Sequence, residues 1–136
     1  MPNILSALQC EAMTVPAGSK VFIVDDDEAV RDSLQAMLES EGMDVEAYAD
    51  GGEFLEVLDP EKIGCLLLDL NMPKVSGQDV LEDLARRGME IPVIVITGVS
   101  DERLRSRALA AGAKTLLEKP LEHGQLLDTI NQVIDG

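Results

Sequence analysis

The chain has 136 residues, of which 46% are hydrophobic and only 2% aromatic, and its 26 acidic and 11 basic side chains give a net charge of −15. This length suggests one domain with a core built from aliphatic side chains. The charge disfavours direct contact with nucleic acid or an anionic membrane surface, because both carry the same sign. The longest apolar runs are far shorter than the ~20 residues that cross a bilayer.

Residues 1–19 are predicted to form a flexible tail. They contain no basic residue and no sustained apolar block, so they do not resemble a signal peptide. The two cysteines, Cys10 and Cys65, show no spacing typical of a metal site or a disulfide framework. Their pattern favours a reducing, cytoplasmic location.

From residue 20 onward, strand-like and helix-like patterns alternate. The strand-like runs are Val21–Val24, Met43–Ala47, Ile63–Leu68, Val93–Ile96 and Thr115–Leu117. Capping-box patterns at Asp50 and Ser76 predict helix starts, and Gly42, Gly88 and Gly112 predict helix ends. Because the strands are continuously apolar, we predict a five-stranded parallel sheet with helices on both faces.

Three consecutive carboxylates, Asp25, Asp26 and Asp27, directly follow the first strand-like run. At an effective dielectric constant of about 20, two such charges ~4 Å apart repel each other by roughly 4 kcal/mol. Each charge also raises the free energy of ionising its neighbours. Folding gives no reason to build such a cluster, whereas a bound divalent cation does.

Polar side chains also follow three other strands. Asp69 ends the third strand, Thr97 the fourth, and Lys119 with Pro120 the fifth. The carboxyl ends of parallel strands meet at one edge of a sheet, where ligands bind. Taken singly, an aspartate is more often a helix cap, a threonine a strand former and a lysine a solvated charge. Their joint occurrence at strand ends favours one functional site.

Four motifs stand at the strand ends: Val24-Asp25-Asp26-Asp27-Glu28, Asp69-Leu70-Asn71-Met72-Pro73 with Gly77, Val95-Ile96-Thr97-Gly98, and Lys119-Pro120. Together they resemble the receiver domain of two-component response regulators, nearest to the branch of nitrogen-fixation regulators. The resemblance covers about Lys20 to Ile134. It implies a flavodoxin-like, doubly wound sheet of order 2-1-3-4-5, with the receiver domain in residues 20–136 and no output domain in this chain.

The resemblance implies a phosphorylation site at Asp69. This side chain would take a phosphoryl group from the phosphohistidine of a sensor histidine kinase or a histidine phosphotransfer protein. Mg²⁺ would be held by Asp26, Asp69 and the backbone carbonyl of Asn71, with Asp25 acting mainly through a bound water. Such a chain is not an enzyme beyond catalysing its own phosphorylation and slow dephosphorylation.

The resemblance also assigns contacts with the phosphoryl group to Lys119 and Thr97. Signalling would then proceed by a conformational change at the face of helix 4, strand 5 and helix 5, which would bind a downstream protein or a second copy. The family usually carries an aromatic residue where this chain has Leu116, so we predict weaker coupling between Thr97 and that face. The bond between Lys119 and Pro120 is a candidate cis peptide. The apolar Val99 predicts slow loss of the phosphoryl group, since it cannot orient water.

Other interpretations remain open beside this one. A haloacid-dehalogenase-like, Mg²⁺-dependent phosphatase would use Asp25 as nucleophile, but it leaves the motif at Asp69 unexplained. A flavin-binding module is disfavoured, because the acids after the first strand would repel the flavin phosphate. As a stand-alone receiver, the chain could serve as a phosphorelay shuttle, a phosphate sink or a regulator of a kinase. The single histidine, His123, is predicted to be a surface residue, and Asp27 a helix N-cap.

Overall fold

The computed structural model describes residues 20–58, 63–70, 76–98 and 101–135. The strands are β1 (Lys20–Val24), β2 (Asp44–Tyr48), β3 (Ile63–Asp69), β4 (Val93–Thr97) and β5 (Thr115–Glu118). The helices are α1 (Glu28–Ser40), α2 (Gly51–Val57), α3 (Gly77–Arg86), α4 (Glu102–Ala110) and α5 (His123–Asp135). The tail predicted for residues 1–19 lies outside the described residues, and so do Asn71 and Val99.

The five strands form one parallel sheet in the order β2-β1-β3-β4-β5. This confirms the predicted doubly wound fold. β1 lies between β2 and β3, so the chain changes direction across the sheet after β2. The carboxyl ends of β1 and β3 are therefore neighbours, and a ligand site is expected in the crevice beyond them.

Each face of the sheet carries its own aliphatic core. Alternate residues of the strands point to opposite faces, so that Leu66 and Leu68 lie on one side while Cys65 and Leu67 lie on the other. Helices α2, α3 and α4 cover the first side, and α1 and α5 cover the second. Cys65 is fully buried, and burial raises the pKa of its thiol. A free cysteine buried in this way packs as a small hydrophobic side chain.

The helix boundaries follow the predicted caps. The side chain of Asp27 accepts hydrogen bonds from the N–H groups of Ala29 and Val30, which confirms it as the N-cap of α1. A reciprocal capping box forms at Ser76, whereas Asp50 caps α2 through the N–H of Gly52. Gly42, Gly88 and Gly112 adopt positive φ just after α1, α3 and α4, as expected of residues that end helices.

The second strand begins and ends one residue later than predicted. Met43 was expected to start it, but the N–H of Met43 donates to the carbonyl of Leu38 at 3.2 Å and completes the end of α1. Tyr48 extends the strand instead, because it pairs with Val24 of β1. Among the described residues, no helix is long and apolar enough to span a membrane.

All three aromatic rings of the chain lie in one cluster at the β1–β2 side of the sheet. The ring centroids of Phe22 and Phe54 are 5.4 Å apart, and Tyr48 lies 6.0 Å from Phe22 and 6.3 Å from Phe54. The Tyr48 hydroxyl donates to Glu46 Oε1 at 2.8 Å. Burial and this bond raise the pKa of Tyr48 to about 12.

Candidate functional site

Asp25 is the buried carboxylate that directly follows β1. It is only 1% exposed, and its N–H donates to the carbonyl of Tyr48 at 3.0 Å. Its carboxylate Oδ1 accepts the N–H of Asp27 at 2.9 Å, and its carbonyl accepts a bond from Arg31 Nη1 at 2.8 Å. These bonds fix the turn between β1 and α1, and with it the direction of the acidic side chains.

Three carboxylates meet at this edge of the sheet. Ligand oxygens of Asp25, Asp26 and Asp69 all lie within 4.8 Å of one another. Asp69 is 5% exposed, whereas Asp26 is open to solvent. At 4.8 Å and an effective dielectric constant of about 20, each pair of charges repels by about 3 kcal/mol. The cluster therefore attracts cations.

Lys119 supplies one positive charge to this cluster. Its Nζ lies 3.3 Å from Asp25 Oδ2 and 3.9 Å from Asp69 Oδ1. The backbone N–H of Lys119 donates to the carbonyl of Thr97 at 2.8 Å, so the end of β5 is tied to the end of β4. The peptide bond between Lys119 and Pro120 is cis.

The donor set fits a hard divalent cation such as Mg²⁺. Asp25 Oδ2 is buried, accepts no hydrogen bond from the described residues and lies 3.3 Å from Lys119 Nζ. Within the described part of the chain, three carboxylates face one ammonium group, which leaves excess negative charge. Carboxylate oxygens in such an arrangement are the ligands that Mg²⁺ prefers. The carbonyl of Asn71, expected to complete this set, lies outside the described residues.

Thr97 and Leu116 lie on the neighbouring strands β4 and β5. Thr97 is fully buried at the end of β4. Leu116 is 5% exposed and pairs with Val95 in the sheet register, two residues before Thr97. Both side chains face α4, because Leu116 and Val95 belong to the core on that side. Leu116 thus fills core space at the position where the family usually has an aromatic ring.

Two further residues shape the site without being part of the predicted ligand set. Arg31 holds the Asp25 carbonyl, and no local sequence signal marks this contact. Gly77 begins α3 directly over the end of β3, and a Cβ atom there would lie 2.6 Å from the carbonyl oxygen of Asp69. Only glycine lets the chain return this closely, which explains why the β3 motif is followed by Gly77.

His123 lies outside the carboxylate cluster. Its side chain is 50% exposed, and its Nε2 lies 3.1 Å from Glu41 Oε2 at the end of α1. The expected surface placement of His123 is confirmed.

The family model described as the response regulator receiver domain matches residues 21–131. The chain belongs to this family. Over 116 residues it is 37% identical to the transcriptional regulatory protein FixJ of Azorhizobium caulinodans, an alignment that covers 85% of this chain and 55% of FixJ. It is 36% identical to the response regulator protein TodT of Pseudomonas putida, covering 85% of this chain and 51% of TodT. The expected nearness to the nitrogen-fixation branch is confirmed.

Solved structures agree with this placement. The crystal structure of FixJ-N matches with a TM-score of 0.78 at 36% identity, covering 86% of this chain and 94% of that one. The response regulator StyR matches with a TM-score of 0.81 at 42% identity, covering 88% of this chain and 60% of StyR. The chain spans about half the length of the curated relatives it matches.

Proposed function

We propose that Asp69 is the phosphoacceptor of this receiver domain. A carboxylate oxygen of Asp69 attacks the phosphorus of a phosphohistidine, the P–N bond breaks, and the imidazole leaves with the electron pair. The observation that carries the proposal is the position of Asp69 at the end of β3, with two further carboxylates within 4.8 Å and Lys119 Nζ 3.9 Å from its Oδ1.

Lys119 and Thr97 have separate roles in this proposal. The Lys119 ammonium attracts the incoming phosphoryl oxygens as a point charge and stays close to Asp69 after transfer. Thr97 donates its hydroxyl to another phosphoryl oxygen, for which its place at the neighbouring strand end is suited. These positive and donor groups stabilise the charge that develops on the transferred group.

Asp25, Asp26 and Asp69 are proposed to hold Mg²⁺, together with the carbonyl of Asn71. An ion held by these residues would reduce the repulsion between the carboxylates and the phosphoryl group. Asp25 already bonds Lys119 and the turn after β1, so it is proposed to contribute mainly through a water molecule. Asp26 is the exposed member of the set and is proposed as a direct ligand.

The phosphodonor is proposed to dock beside the carboxylates. A groove of about 550 Å³ lies between α1 and the segment after β5, and its lining includes Ala29, Val30, Met37 and Leu121. Lys119 also lines the groove, so it continues to the site. An apolar helix face of a histidine kinase or phosphotransfer protein, with its phosphohistidine at the groove's end, fits this shape and chemistry. Such partners imply a cytoplasmic location.

Signal output is proposed to run through the face formed by α4, β5 and α5. Movement of Thr97 toward the phosphoryl group would vacate space on the sheet face where Val95 and Leu116 pack, because Thr97 and Val95 point to the same side of β4. Leucine has no ring to rotate into that space, so the proposed coupling is weaker than an aromatic residue would provide. Slow dephosphorylation, attributed to Val99, completes the proposed cycle.

Labelling with a small acyl phosphate and Mg²⁺ tests this function. Borohydride reduces an aspartyl phosphate to homoserine, which mass spectrometry then locates in the sequence. We expect homoserine at position 69 and none in Asp69→Asn, because the nucleophilic oxygen is then replaced. Homoserine at Asp25 would instead favour the phosphatase interpretation and overturn the proposal.

A further inference from the structure

Positive charge is concentrated on α4 of this otherwise acidic chain. The segment 101–114 holds four of the 11 basic residues but only two of the 26 acids. Arg103, Arg105, Arg107 and Lys114 are all exposed, and we call them the α4 basic surface. The other residues of the chain carry more net negative charge than the whole chain does, so this surface is positive in an acidic protein.

The α4 basic surface differs from the other basic side chains in having no acidic partner among the described residues. Elsewhere, Arg86 and Arg87 both pair with Asp83, and Lys20 pairs with Glu46. Lys119 and Arg31 are both bound at the acidic site. In contrast, none of the four side chains of the α4 basic surface makes an ion pair within the described part of the chain.

The spacing of two of these arginines is unfavourable to the helix. Arg103 and Arg107 are four residues apart and thus neighbours on the helix surface, where like charges destabilise a helix. An exposed apolar side chain accompanies them, since Leu109 is 40% exposed and lies one turn after Arg105. Arginine is enriched at protein-binding surfaces, and Leu109 offers an exposed apolar contact beside these arginines.

We infer that the α4 basic surface binds an acidic segment of a separate protein, with Leu109 as its apolar anchor. Charge complementarity supports this partner, because acidic side chains would provide the ion pairs that the chain itself does not supply. A two-fold dimer built on α4 would place the arginines of both copies against each other, which is unfavourable. Assigning this surface to signal output rests on the proposed phosphorylation of Asp69, whereas the binding itself does not.

The full chain can be tested with a fluorescein-labelled peptide of Leu-Glu-Glu repeats, using fluorescence anisotropy. We expect Arg103→Gln/Arg107→Gln to weaken binding about tenfold and Leu109→Gln to weaken it severalfold, since charge pairs and an anchor are lost. The matched control is Ala36→Glu/Ala85→Glu, which lowers the net charge equally at exposed positions on α1 and α3. Binding by the control should stay within about twofold of wild type. Circular dichroism verifies that each variant is folded.

Three results would overturn the inference. Equal weakening by the arginine variant and its charge-matched control would mean that net charge alone governs binding. Tighter binding of a DNA duplex than of the acidic peptide would identify nucleic acid as the partner. Self-association in sedimentation equilibrium that the arginine variant abolishes would identify a second copy. Homoserine mapping on the same samples separates this inference from the proposed phosphorylation of Asp69. Homoserine at position 69 without peptide binding contradicts only this inference. Peptide binding without homoserine at position 69 contradicts only the proposed function.

Discussion

Removing the Lys119 charge should strengthen Mg²⁺ binding while it weakens phosphorylation. In Lys119→Met, the carboxylates of Asp25 and Asp69 lose an ammonium group at 3.3 and 3.9 Å. The two attractions amount to about 5 and about 4 kcal/mol at an effective dielectric constant of about 20, and to little more than about 1 kcal/mol each in water. Lys119 is 27% exposed, so solvent screens part of this energy.

The lost ammonium competes with a metal ion for the same oxygens. We therefore expect Lys119→Met to bind Mg²⁺ about fivefold more tightly than wild type. This is a gain of about 1 kcal/mol in binding free energy, smaller than the Coulomb energies above because water solvates and screens the lysine. Without Mg²⁺ the variant should unfold at a lower temperature than wild type, because Asp25 and Asp69 lose the ammonium group that reduces their repulsion. Labelling of Asp69 should slow about a hundredfold, since a group that stabilises the transferred charge is gone.

Isothermal titration calorimetry measures the Mg²⁺ affinity, and thermal unfolding in a chelator measures the metal-free stability. Lys114→Met is the matched control, because it removes the same charge from an exposed lysine without an ion pair among the described residues. Weaker Mg²⁺ binding by Lys119→Met than by wild type would refute the competition between lysine and metal. An equal gain in Lys114→Met would attribute the effect to net charge.

Three further predictions concern the site and its surroundings. Gly77→Ala should lower the free energy of unfolding by about 1–3 kcal/mol, since its Cβ meets backbone 2.6 Å away; an unchanged denaturation midpoint would contradict this. Asp26→Asn should weaken Mg²⁺ binding at least about tenfold in calorimetry, whereas Asp27→Asn keeps a good N-cap and should change it little; equal effects would disprove the division of roles. In a pH titration followed by tyrosinate absorbance, Tyr48 should have its midpoint near pH 12. The folding stability linked to this raised pKa should be fully present below about pH 10 and should be lost as the pH approaches 12. A midpoint near pH 10 would contradict this.

Much of the site could be predicted from the residues that end or directly follow each strand. Asp69 and Lys119 could be grouped from sequence because parallel strands bring their carboxyl ends together. Lys119 contacts Asp25. The sequence did not show that it would contact this acid, because the contact depends on how far β5 extends and on how the turn after β1 is held. The contact between Arg31 and the Asp25 carbonyl is likewise tertiary, because it needs the first turn of α1 to lie over that turn.

The predicted ends of β2 were wrong because backbone hydrogen bonds decide them. Met43 is apolar like the strand residues that follow it, but its N–H donates to the Leu38 carbonyl at the end of α1. Apolar periodicity does not reveal that hydrogen bond. Tyr48 belongs to β2 because Val24 is there to pair with it. The basic residues of α4 are apparent in the sequence, whereas their lack of ion pairs within the described part of the chain emerges only when the helix is placed on the sheet.

The confinement of all aromatic rings to the β1–β2 side has a consequence for NMR spectroscopy. Ring currents from Phe22, Tyr48 and Phe54 will disperse the methyl resonances near that cluster most strongly, while no ring lies on β4 or β5 themselves. A chemical-shift change at Leu116 on phosphorylation therefore reports a change in backbone or rotamer geometry, free of the ring-rotation signal that dominates where an aromatic residue moves. In this chain the methyl spectrum of the β4–β5 half is a direct record of how an aliphatic core transmits a change at the site.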